Sequence, residues 1–315
     1  MKRLKIFTWH IHGSYLYYLS HIPHDIYLPR RTDDSLGYCG ITPSYPWPTN
    51  IHEIPFEEVK NQKFDCVLYQ HHDNYLLHQH EVLSSEQLKL PKIFLEHDPP
   101  RENPTNTVHP VDDPNTMIVH VTDFNRLMWD CQRSPTTVID HGVKIPEDVH
   151  YEGDLEKGIV IVNNIAKRGR RLGLDIFQKA SLELDLDLVG MGWEDVGGIG
   201  EVSHQELPAF CSHYRYFFNP IRYTSLGLSI CEAMMIGVPI IGLATTELAT
   251  VVENNVSGFI STRPEELTIA ARELVKNKKL ADEWGKKAKK RAQERFGIER
   301  FIRDWNNTLQ EVVRS

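Results

Sequence analysis

The sequence predicts an α/β protein built from two doubly wound halves. Its 315 residues exceed the usual size of one domain, and short apolar segments alternate with amphipathic helical segments along the chain. The composition changes near the middle, because 14 of the 18 prolines lie at or before Pro146 and 14 of the 16 histidines at or before His150. We therefore expect an N-terminal domain at 1–150, a C-terminal domain at 151–295 and a terminal helix at 296–315.

In the first half, five short apolar segments, several with β-branched residues, are predicted to be buried strands. They cover residues 3–9, 64–70, 92–97, 117–122 and 136–142. Residues 80–90 and 123–131 have helical periodicity, and Asp123 is placed to cap the second of these helices. The alternation predicts a parallel sheet with crossover helices.

The second half repeats this alternation. Its predicted strands cover residues 158–164, 185–192, 216–220, 238–244 and 258–262, and its predicted helices cover residues 172–181, 207–212, 228–236, 247–252 and 264–277. After Trp284 the pattern predicts one long helix with a single apolar face, which is formed by Phe301, Ile302, Trp305, Leu309, Val312 and Val313. We expect this face to pack back towards the first half.

Charge and hydropathy exclude several classes of partner and location. The formal net charge of −8 gives no reason to expect nucleic acid as a partner. No stretch approaches the roughly 20 apolar residues of a transmembrane helix, and the first residues lack the long apolar region of a signal peptide. We expect a cytoplasmic protein without a transmembrane segment, with peripheral attachment at the inner membrane face as an alternative. Five cysteines without a C-x-x-C pair predict reduced thiols.

The segment "YTSLGLSICEAMMIGVPII", residues 223–241, has the features of an anion-binding site. A strand ends just before it and a helix begins near Leu228, so unpaired helix N–H groups are expected at the carboxyl edge of the sheet, where they favour a phosphate. Gly227 allows a ligand to approach closely. Glu232, about one turn into the helix, can accept hydrogen bonds from a diol such as a ribose, or can satisfy a nearby loop backbone instead.

The stretch "SLGLSICEAMMIGVPIIGLATTELATVVENNVSGFI", residues 225–260, resembles the C-terminal donor site of the family 4 retaining glycosyltransferases. The usual form there is an acid, G-F-G-L, a few apolar residues, E-A-M, a G-x-P strand and an E-x-x turn. Looser similarity extends to "VIDHGVKIP", "GEVSHQEL" and "ERFGIERFIRDW". The resemblance implies the GT-B fold, in which two Rossmann-like domains face a central cleft and a C-terminal helix crosses back to the N-terminal domain.

The resemblance also implies roles at the donor site. Glu232 would hold the ribose hydroxyls of a nucleotide sugar. The backbone N–H groups that would hold its diphosphate belong to Ser225, Leu226, Gly227 and Leu228. The first of the family's two glutamates, which contacts the donor sugar, falls at Thr224, whose hydroxyl can hydrogen-bond a sugar but carries no charge.

Cations for the phosphates are expected just after a predicted strand. The segment "NNIAKRGRRLGLDIF" contains Lys167, Arg168, Arg170 and Arg171, and such groups would stabilise a leaving diphosphate. The family's arginine falls at Asn164, so the later residues would take its role; an ordinary basic loop is the alternative. By the same resemblance, backbone groups near Glu201 and Val202 would hold the nucleobase, and they do not separate uridine from guanosine.

In the first half, His97 and Asp98 end a predicted strand and resemble the family's strand-end H-D pair, whose histidine contacts the donor sugar. A neutral or protonated imidazole there can hydrogen-bond a hydroxyl or assist the transition state, whereas a structural histidine is the alternative. The glycine-rich loop that the family has near the acceptor and the phosphates falls at Gly13 and Ser14. His10 and His12 would line the acceptor side.

No metal or cofactor is expected. The clusters at residues 71–73, "HHD", and 78–80, "HQH", lack the helical i, i+4 spacing and the cysteines of familiar zinc sites. Adjacent side chains in a strand also point to opposite faces. The proposed site uses cations of the protein instead.

The function that follows is a metal-independent, retaining, hexosyl-type transfer from a UDP- or GDP-linked sugar to a hydroxyl of a carbohydrate, lipid-linked or small-molecule acceptor. The departing diphosphate would help to deprotonate the acceptor, and His97, Glu232 and Thr224 would form the catalytic group. Thr224 and Asn164 leave open a nucleotide-binding module without transfer activity. An NAD-dependent oxidoreductase lacks support, because no G-x-G-x-x-G follows an early strand.

Overall fold

Two units make up the chain in a computed structural model, which describes residues 2–33 and 35–314. Unit 1 comprises Met1–Gly142 and Ile298–Ser315, and unit 2 comprises Val143–Gly297. The divisions therefore fall after residues 142 and 297, whereas the sequence predicts them after 150 and 295. Within the described ranges, no helix has both the length and the apolar character needed to cross a membrane.

The described residues of unit 1 form a seven-stranded, wholly parallel sheet with strand order β3-β2-β1-β4-β5-β6-β7. The strands are β1 Lys5–Thr8, β2 Asp25–Arg30, β3 Ile51–Pro55, β4 Cys66–Tyr69, β5 Lys92–Glu96, β6 Thr116–His120 and β7 Thr136–Val138. Strands β2 and β3 are absent from the sequence prediction, because "DIYLPR" and "IHEIP" mix charges and proline with few apolar residues. Their position at one side of the sheet, with β3 at its edge, tolerates proline.

The helices of unit 1 before residue 142 are short. They are α1 Gly13–Leu19, α2 Gln79–Val82 and α3 Asp123–Met128, with a π-helical turn at Asn74–His78 and 3-10 turns at Phe56–Asn61 and Gln87–Lys89. The predicted helix at 80–90 is thus reduced to single turns. Thr122, not Asp123, caps α3, since its hydroxyl accepts the N–H of Asn125. Gly13 begins α1 instead of lying in a loop.

Unit 2 contains a five-stranded parallel sheet with strand order β12-β11-β10-β8-β9. Its strands are β8 Leu155–Ile161, β9 Leu186–Val189, β10 Tyr214–Asn219, β11 Ile240–Leu243 and β12 Gly258–Ser261. Its helices are α4 Ile165–Arg168, α5 Leu174–Ala180, α6 Leu207–Ser212, α7 Leu228–Ile236, α8 Leu248–Val251, α9 Pro264–Lys276 and α10 Lys278–Phe296, with 3-10 turns at Gly169–Leu172 and Glu194–Val196. Each strand predicted for this half is present, since each contains a short apolar run.

The C-terminal segment contradicts the prediction of one long helix. The extended backbone of Gly297 (φ −60°, ψ 136°) separates α10 from α11, which covers Ile298–Arg314. Helix α11 packs within unit 1, where Phe301 lies against Gly142 so closely that a Cβ there would overlap its ring. The buried indole of Trp305 donates to the Tyr15 hydroxyl at 3.1 Å. The apolar face predicted from the spacing is the face that is buried.

Each sheet has one topological switch point, where the chain leaves two neighbouring strands in opposite directions. In unit 1 the point lies between β1 and β4, and in unit 2 between β8 and β10. The loops after such strands diverge and leave a crevice at the carboxyl edge, which is where ligands bind in open α/β sheets. The segments that follow these strands are residues 9–13 and 70–73 in unit 1, and 162–173 and 220–227 in unit 2.

Candidate functional sites

The N-terminus of α7 lies directly after β10, at the switch point of unit 2. Gly227 precedes the helix with extended backbone (φ −69°, ψ 136°) and, as a glycine, has no side chain with which to cap it. An uncapped helix N-terminus presents amide hydrogens and the positive end of the helix dipole. This end of α7 can therefore bind an anion.

Gly227 is not required by the packing of the protein itself. Its φ is negative, and an added Cβ would meet only Ser229 Oγ, at 3.5 Å. By contrast, Gly173 has a φ of +82° and a Cβ there would overlap the Pro220 carbonyl. The open space beside Gly227 is what close approach of a ligand to the backbone would use.

Glu232 is buried on α7, four residues after Leu228, and therefore on the same helix face as the first turn. Helical Cα–Cβ bonds tilt towards the N-terminus, so this side chain leans back towards the uncapped end. Burial and then the charge of Glu232 raise the pKa of Cys211 on α6 to about 12. Glu232 is therefore close enough to Cys211 on α6 for its charge to act on that thiol.

The loop after β8 forms the other side of the switch point. Asn164 has a left-handed backbone (φ 53°), and its N–H donates to the Met191 carbonyl at 2.6 Å. Asn163 Oδ1 accepts the N–H of Met191 at 2.9 Å. Both asparagines thus connect the loop after β8 to the loop after β9, and Asn164 supplies no charge.

The basic residues of this loop differ in their contacts. Lys167 and Arg168 are exposed at the end of α4 and have no ion-pair partner within residues 2–33 and 35–314. Arg170 pairs with Asp175 at 2.6 Å. The Arg171 carbonyl accepts the N–H groups of Arg222 and Tyr223, at 3.1 and 3.2 Å.

An ion pair that the sequence analysis missed joins the two loops of the switch point. Arg222 contacts both carboxylate oxygens of Asp175, at 2.5 and 2.8 Å, and also donates to the Arg170 carbonyl. The hydrogen bonds from Arg222 and then its charge lower the pKa of Asp175 to about 2. Thr224 follows Arg222 by two residues and is half-buried, whereas Ser225 and Leu226 are buried.

Glu201 and Val202 follow β9 at the carboxyl edge of the same sheet. The chain after β9 turns back so that Gly200 pairs with Val189, and Ser203 and Glu206 then exchange hydrogen bonds ahead of α6. Glu201 is exposed and Val202 half-buried. Their backbone groups thus lie on the β9 side of the switch point.

In unit 1, His97 directly follows β5 and belongs to a cluster of rings. Its ring centroid lies 3.9 Å from that of His12 and 4.8 Å from that of Tyr15. Its Nε2 lies 3.4 Å from Gln70 Oε1, just after β4. Burial, and then the neighbouring His12 and His141, hold the pKa of His97 well below its usual 6.5, which favours the neutral imidazole.

His97 and His12 border a cavity of about 440 Å³ at the carboxyl edge of β4 and β5. That volume is within the range of small-molecule sites. Asp98 also lines it and pairs with Arg101 at 2.5 Å, and the Asp98 carbonyl accepts the Trp129 indole N–H at 2.8 Å. The lining combines polar side chains such as His12, Gln70 and Asp98 with the aromatic rings of Phe94 and Trp129, a mixture that suits a ligand with hydroxyl groups on a carbon ring.

Gly13, predicted for donor binding, and Ser14, predicted for the acceptor side, lie beside Tyr45. The Ser14 hydroxyl contacts the Tyr45 hydroxyl at 3.0 Å, and a Cβ on Gly13 would meet the same ring. His10 is buried, and its Nδ1 donates to the Gly40 carbonyl at 2.7 Å. The structure therefore groups His12, His97 and Asp98 at the cavity, whereas His10 is held by the loop that contains Gly40.

Two groups within the described ranges have the donor atoms to hold a metal ion: His71, His72 and Asp73, and Glu152, Asp154 and His213. For the first group, the expectation that adjacent side chains point to opposite faces is wrong. These three residues follow β4 instead of lying within a strand, so their side chains converge. His71 Nδ1 already accepts the N–H of Asp73, at 3.2 Å.

Comparison with known proteins identifies the segment that contains α7. Residues 191–291 match the family model "Glycosyl transferases group 1". This segment is a group 1 glycosyltransferase domain. No curated protein matches the chain by sequence.

Solved structures share their fold with nearly the whole of this chain. Sucrose-phosphate synthase from Thermosynechococcus elongatus aligns with a TM-score of 0.70 at 14% identity, over 98% of this chain and 99% of that one. Anabaena HepE in complex with UDP-glucose aligns with a TM-score of 0.68 at 12% identity, over 98% and 100%. A glycosyltransferase from Rickettsia africae gives 0.63 at 12% identity, over 100% of both chains. The expected GT-B fold is confirmed.

The matched segment contains Glu201, Val202, Thr224–Leu228 and Glu232, whereas the basic loop at 164–171 and all of unit 1 lie outside it. Gln70, Arg222 and Trp129 are site residues that the sequence analysis missed. Gln70 could have been found from the sequence, since it is the polar residue that ends a predicted strand. Arg222 could not have been found from the sequence, because its partner Asp175 lies 47 positions away.

Proposed function

We propose that this glycosyltransferase moves a hexose from a UDP-sugar to an acceptor hydroxyl with retention of anomeric configuration and without a metal ion. The uncapped N-terminus of α7 carries the proposal, because it lies at a switch point and Glu232 leans towards it. A diphosphate on the helix amides would leave the ribose near Glu232. The aligned HepE structure is a complex with UDP-glucose, which favours UDP over GDP as the nucleotide of the donor.

Three groups of residues would hold the donor. Backbone N–H groups of residues 225–228 would bind the diphosphate, and Lys167, Arg168 and Arg171 would neutralise it. Backbone groups near Glu201 and Val202 would hold the base. Because Asn164 carries no charge, these loop cations would supply the electrostatic stabilisation of the leaving diphosphate.

Unit 1 would contribute the acceptor site and His97. The 440 Å³ cavity would hold the acceptor, with Asp98 and Trp129 in its wall, and His97 would hydrogen-bond the transferred sugar. A leaving diphosphate oxygen would take the acceptor proton on the face from which it departs. No carboxylate nucleophile is then required. Thr224 would contact the sugar through its hydroxyl alone.

Thermal unfolding with UDP, GDP, ADP, CMP and NAD tests the donor site. A nucleotide at about 100 times its Kd adds roughly 2.7 kcal/mol, which is several degrees at about 2–4 °C per kcal/mol. We expect a selective shift with UDP that Glu232→Gln removes. The control Glu183→Gln, which breaks an exposed pair with Arg272, should keep the shift. A shift with NAD alone, or none with any nucleotide, would refute the donor assignment.

A nucleotide-binding module without transfer activity is the second candidate. The uncharged Thr224 and Asn164 favour it, since they replace charged residues of the family pattern. It predicts the same nucleotide binding but no consumption of any nucleotide sugar. Turnover with an acceptor panel separates the two functions.

A further inference from the structure

Gln70 is a buried polar residue that the proposed function leaves without a role. It directly follows β4 at the switch point of unit 1, is 3% exposed, and lines the same cavity as His97. A buried amide must have partners for both its nitrogen and its oxygen. Those partners determine which way the amide points.

The amide nitrogen of Gln70 is fixed by two acceptors. It donates to the Trp9 carbonyl at 2.9 Å and to Thr8 Oγ1 at 3.1 Å. A carbonyl can only accept, so the atom facing Trp9 must be the nitrogen. The oxygen Oε1 therefore faces the other way, and it lies 3.4 Å from His97 Nε2.

This orientation decides the tautomer of His97. An unprotonated Nε2 would set its lone pair against those of Gln70 Oε1, so Nε2 carries the proton. A neutral imidazole has only one N–H, and the proton is therefore absent from Nδ1. The side-chain hydrogen bond of His97 that the structure describes within residues 2–33 and 35–314 is the one at Nε2. The packed rings of His12 and Tyr15 limit rotation of the imidazole.

We propose that Gln70 is a positioning residue that holds His97 as its Nε2–H tautomer, so that Nδ1 accepts a hydrogen bond from a hydroxyl of the bound sugar. The inference rests on the proposed function for its substrate, whereas the tautomer rests on the geometry around Gln70 together with the neutrality of the buried ring. His97 then recognises a hydroxyl that donates. It does not deliver a proton to the substrate.

The tautomer is measurable without any substrate. Two-bond ¹H–¹⁵N correlation spectra of protein with ¹⁵N-labelled histidine distinguish protonated from unprotonated ring nitrogens, and His97→Gln assigns the signals. We expect a protonated Nε2 and an unprotonated Nδ1 in the wild type. An Nδ1–H tautomer or an imidazolium at neutral pH would overturn the proposal.

Two variants test the role of Gln70. Gln70→Met should shift His97 towards a mixture of tautomers, and Gln70→Glu should favour the imidazolium, because a carboxylate would face Nε2. Gln87→Met is the matched control: Gln87 is also buried in unit 1 and contacts Val59, Gln62 and Ser84. An unchanged His97 spectrum in both Gln70 variants would overturn the proposal, and Gln70→Glu serves where Gln70→Met fails to fold.

Turnover completes the test. Gln70→Met should lower kcat about tenfold relative to Gln87→Met, the equivalent of about 1.4 kcal/mol. Equal turnover in the two variants, despite a changed tautomer, would overturn the claim that His97 Nδ1 accepts a hydrogen bond from the sugar. Absence of transfer by the wild type would refute both this claim and the proposed function. The spectrum of the same sample would still decide what Gln70 does to His97.

Discussion

Replacing Gly227 by Asp should stabilise the free protein and weaken nucleotide binding, two effects of opposite sign from one substitution. Gly227 occupies the N-cap position of α7 with extended backbone, which is the conformation that capping residues adopt. An added Cβ would meet only Ser229 Oγ, at 3.5 Å. The new carboxylate can therefore accept amide hydrogens of the first turn without displacing protein atoms.

The two magnitudes follow from the same geometry. Asp exceeds Gly as an N-cap, and its charge favours the helix dipole, so we expect a gain of about 0.5–1 kcal/mol in the free energy of unfolding. A diphosphate on the same amides would lose those donors and face a negative charge. Two unit charges about 5 Å apart at an effective dielectric constant of about 20 repel by roughly 3 kcal/mol. The expected loss of UDP affinity is therefore about 100-fold.

Urea unfolding measures the first effect and calorimetric titration with UDP the second. Gly227→Ser caps the helix without a charge, and we expect it to lose less than about tenfold in affinity. Asn277→Asp is the control for added charge at a helix N-cap: Asn277 caps α10, next to the end of α9 at the amino edge of the sheet. UDP binding by Gly227→Asp at wild-type affinity would refute the assignment of the diphosphate to α7.

Three further predictions concern stability. Arg215→Met should cost about 3 kcal/mol in urea unfolding, because the buried guanidinium donates to the carbonyls of Gly153, Leu274 and Val275; a cost below about 1 kcal/mol would contradict this. The lowered pKa of Asp175 means that its contribution to the free energy of unfolding is present above the ordinary carboxyl pKa of 3.8 and is lost as the pH falls towards 2. Asp175→Asn should therefore remove that component from a pH series, and an unchanged acid dependence would argue against it. Phe301→Ala should destabilise unit 1 by about 3–5 kcal/mol, measured by thermal unfolding, since the ring is fully buried; a change within about 1 kcal/mol would show that α11 contributes little.

The sequence predicts best where burial is continuous. Helix α7 has the predicted bounds of 228–236, and β8 to β12 overlap the predicted segments, because each strand contains a short apolar run that a parallel sheet covered on both faces buries. Strands β2 and β3 could not be predicted in this way, since proline and charged residues interrupt their apolar residues. The break between α10 and α11 at Gly297 could not be predicted either, because helical periodicity continues on both sides of it.

The candidate anion-binding loop before α7 could be found from local sequence, since a strand end, a glycine and a helix start follow one another within about ten residues. The surroundings of His97 could not. Gln70 reaches His97 because β4 and β5 are neighbours, and His12 reaches it because β1 lies on the other side of β4. Strand order is a tertiary property, and single-sequence patterns do not contain it. The convergence of residues 71–73 likewise depends on where β4 ends.

The most direct test of the proposed function is NMR observation of UDP-glucose and other UDP-sugars with a panel of hydroxyl acceptors. We predict that UDP is released and that a product forms whose anomeric proton keeps the coupling pattern of the α-linked donor. A product with inverted configuration would contradict the retaining mechanism. The remaining outcome is that the wild type binds UDP, that Glu232→Gln does not bind it, and that no donor is consumed. This result would contradict transfer and would indicate a nucleotide-binding protein without transferase activity.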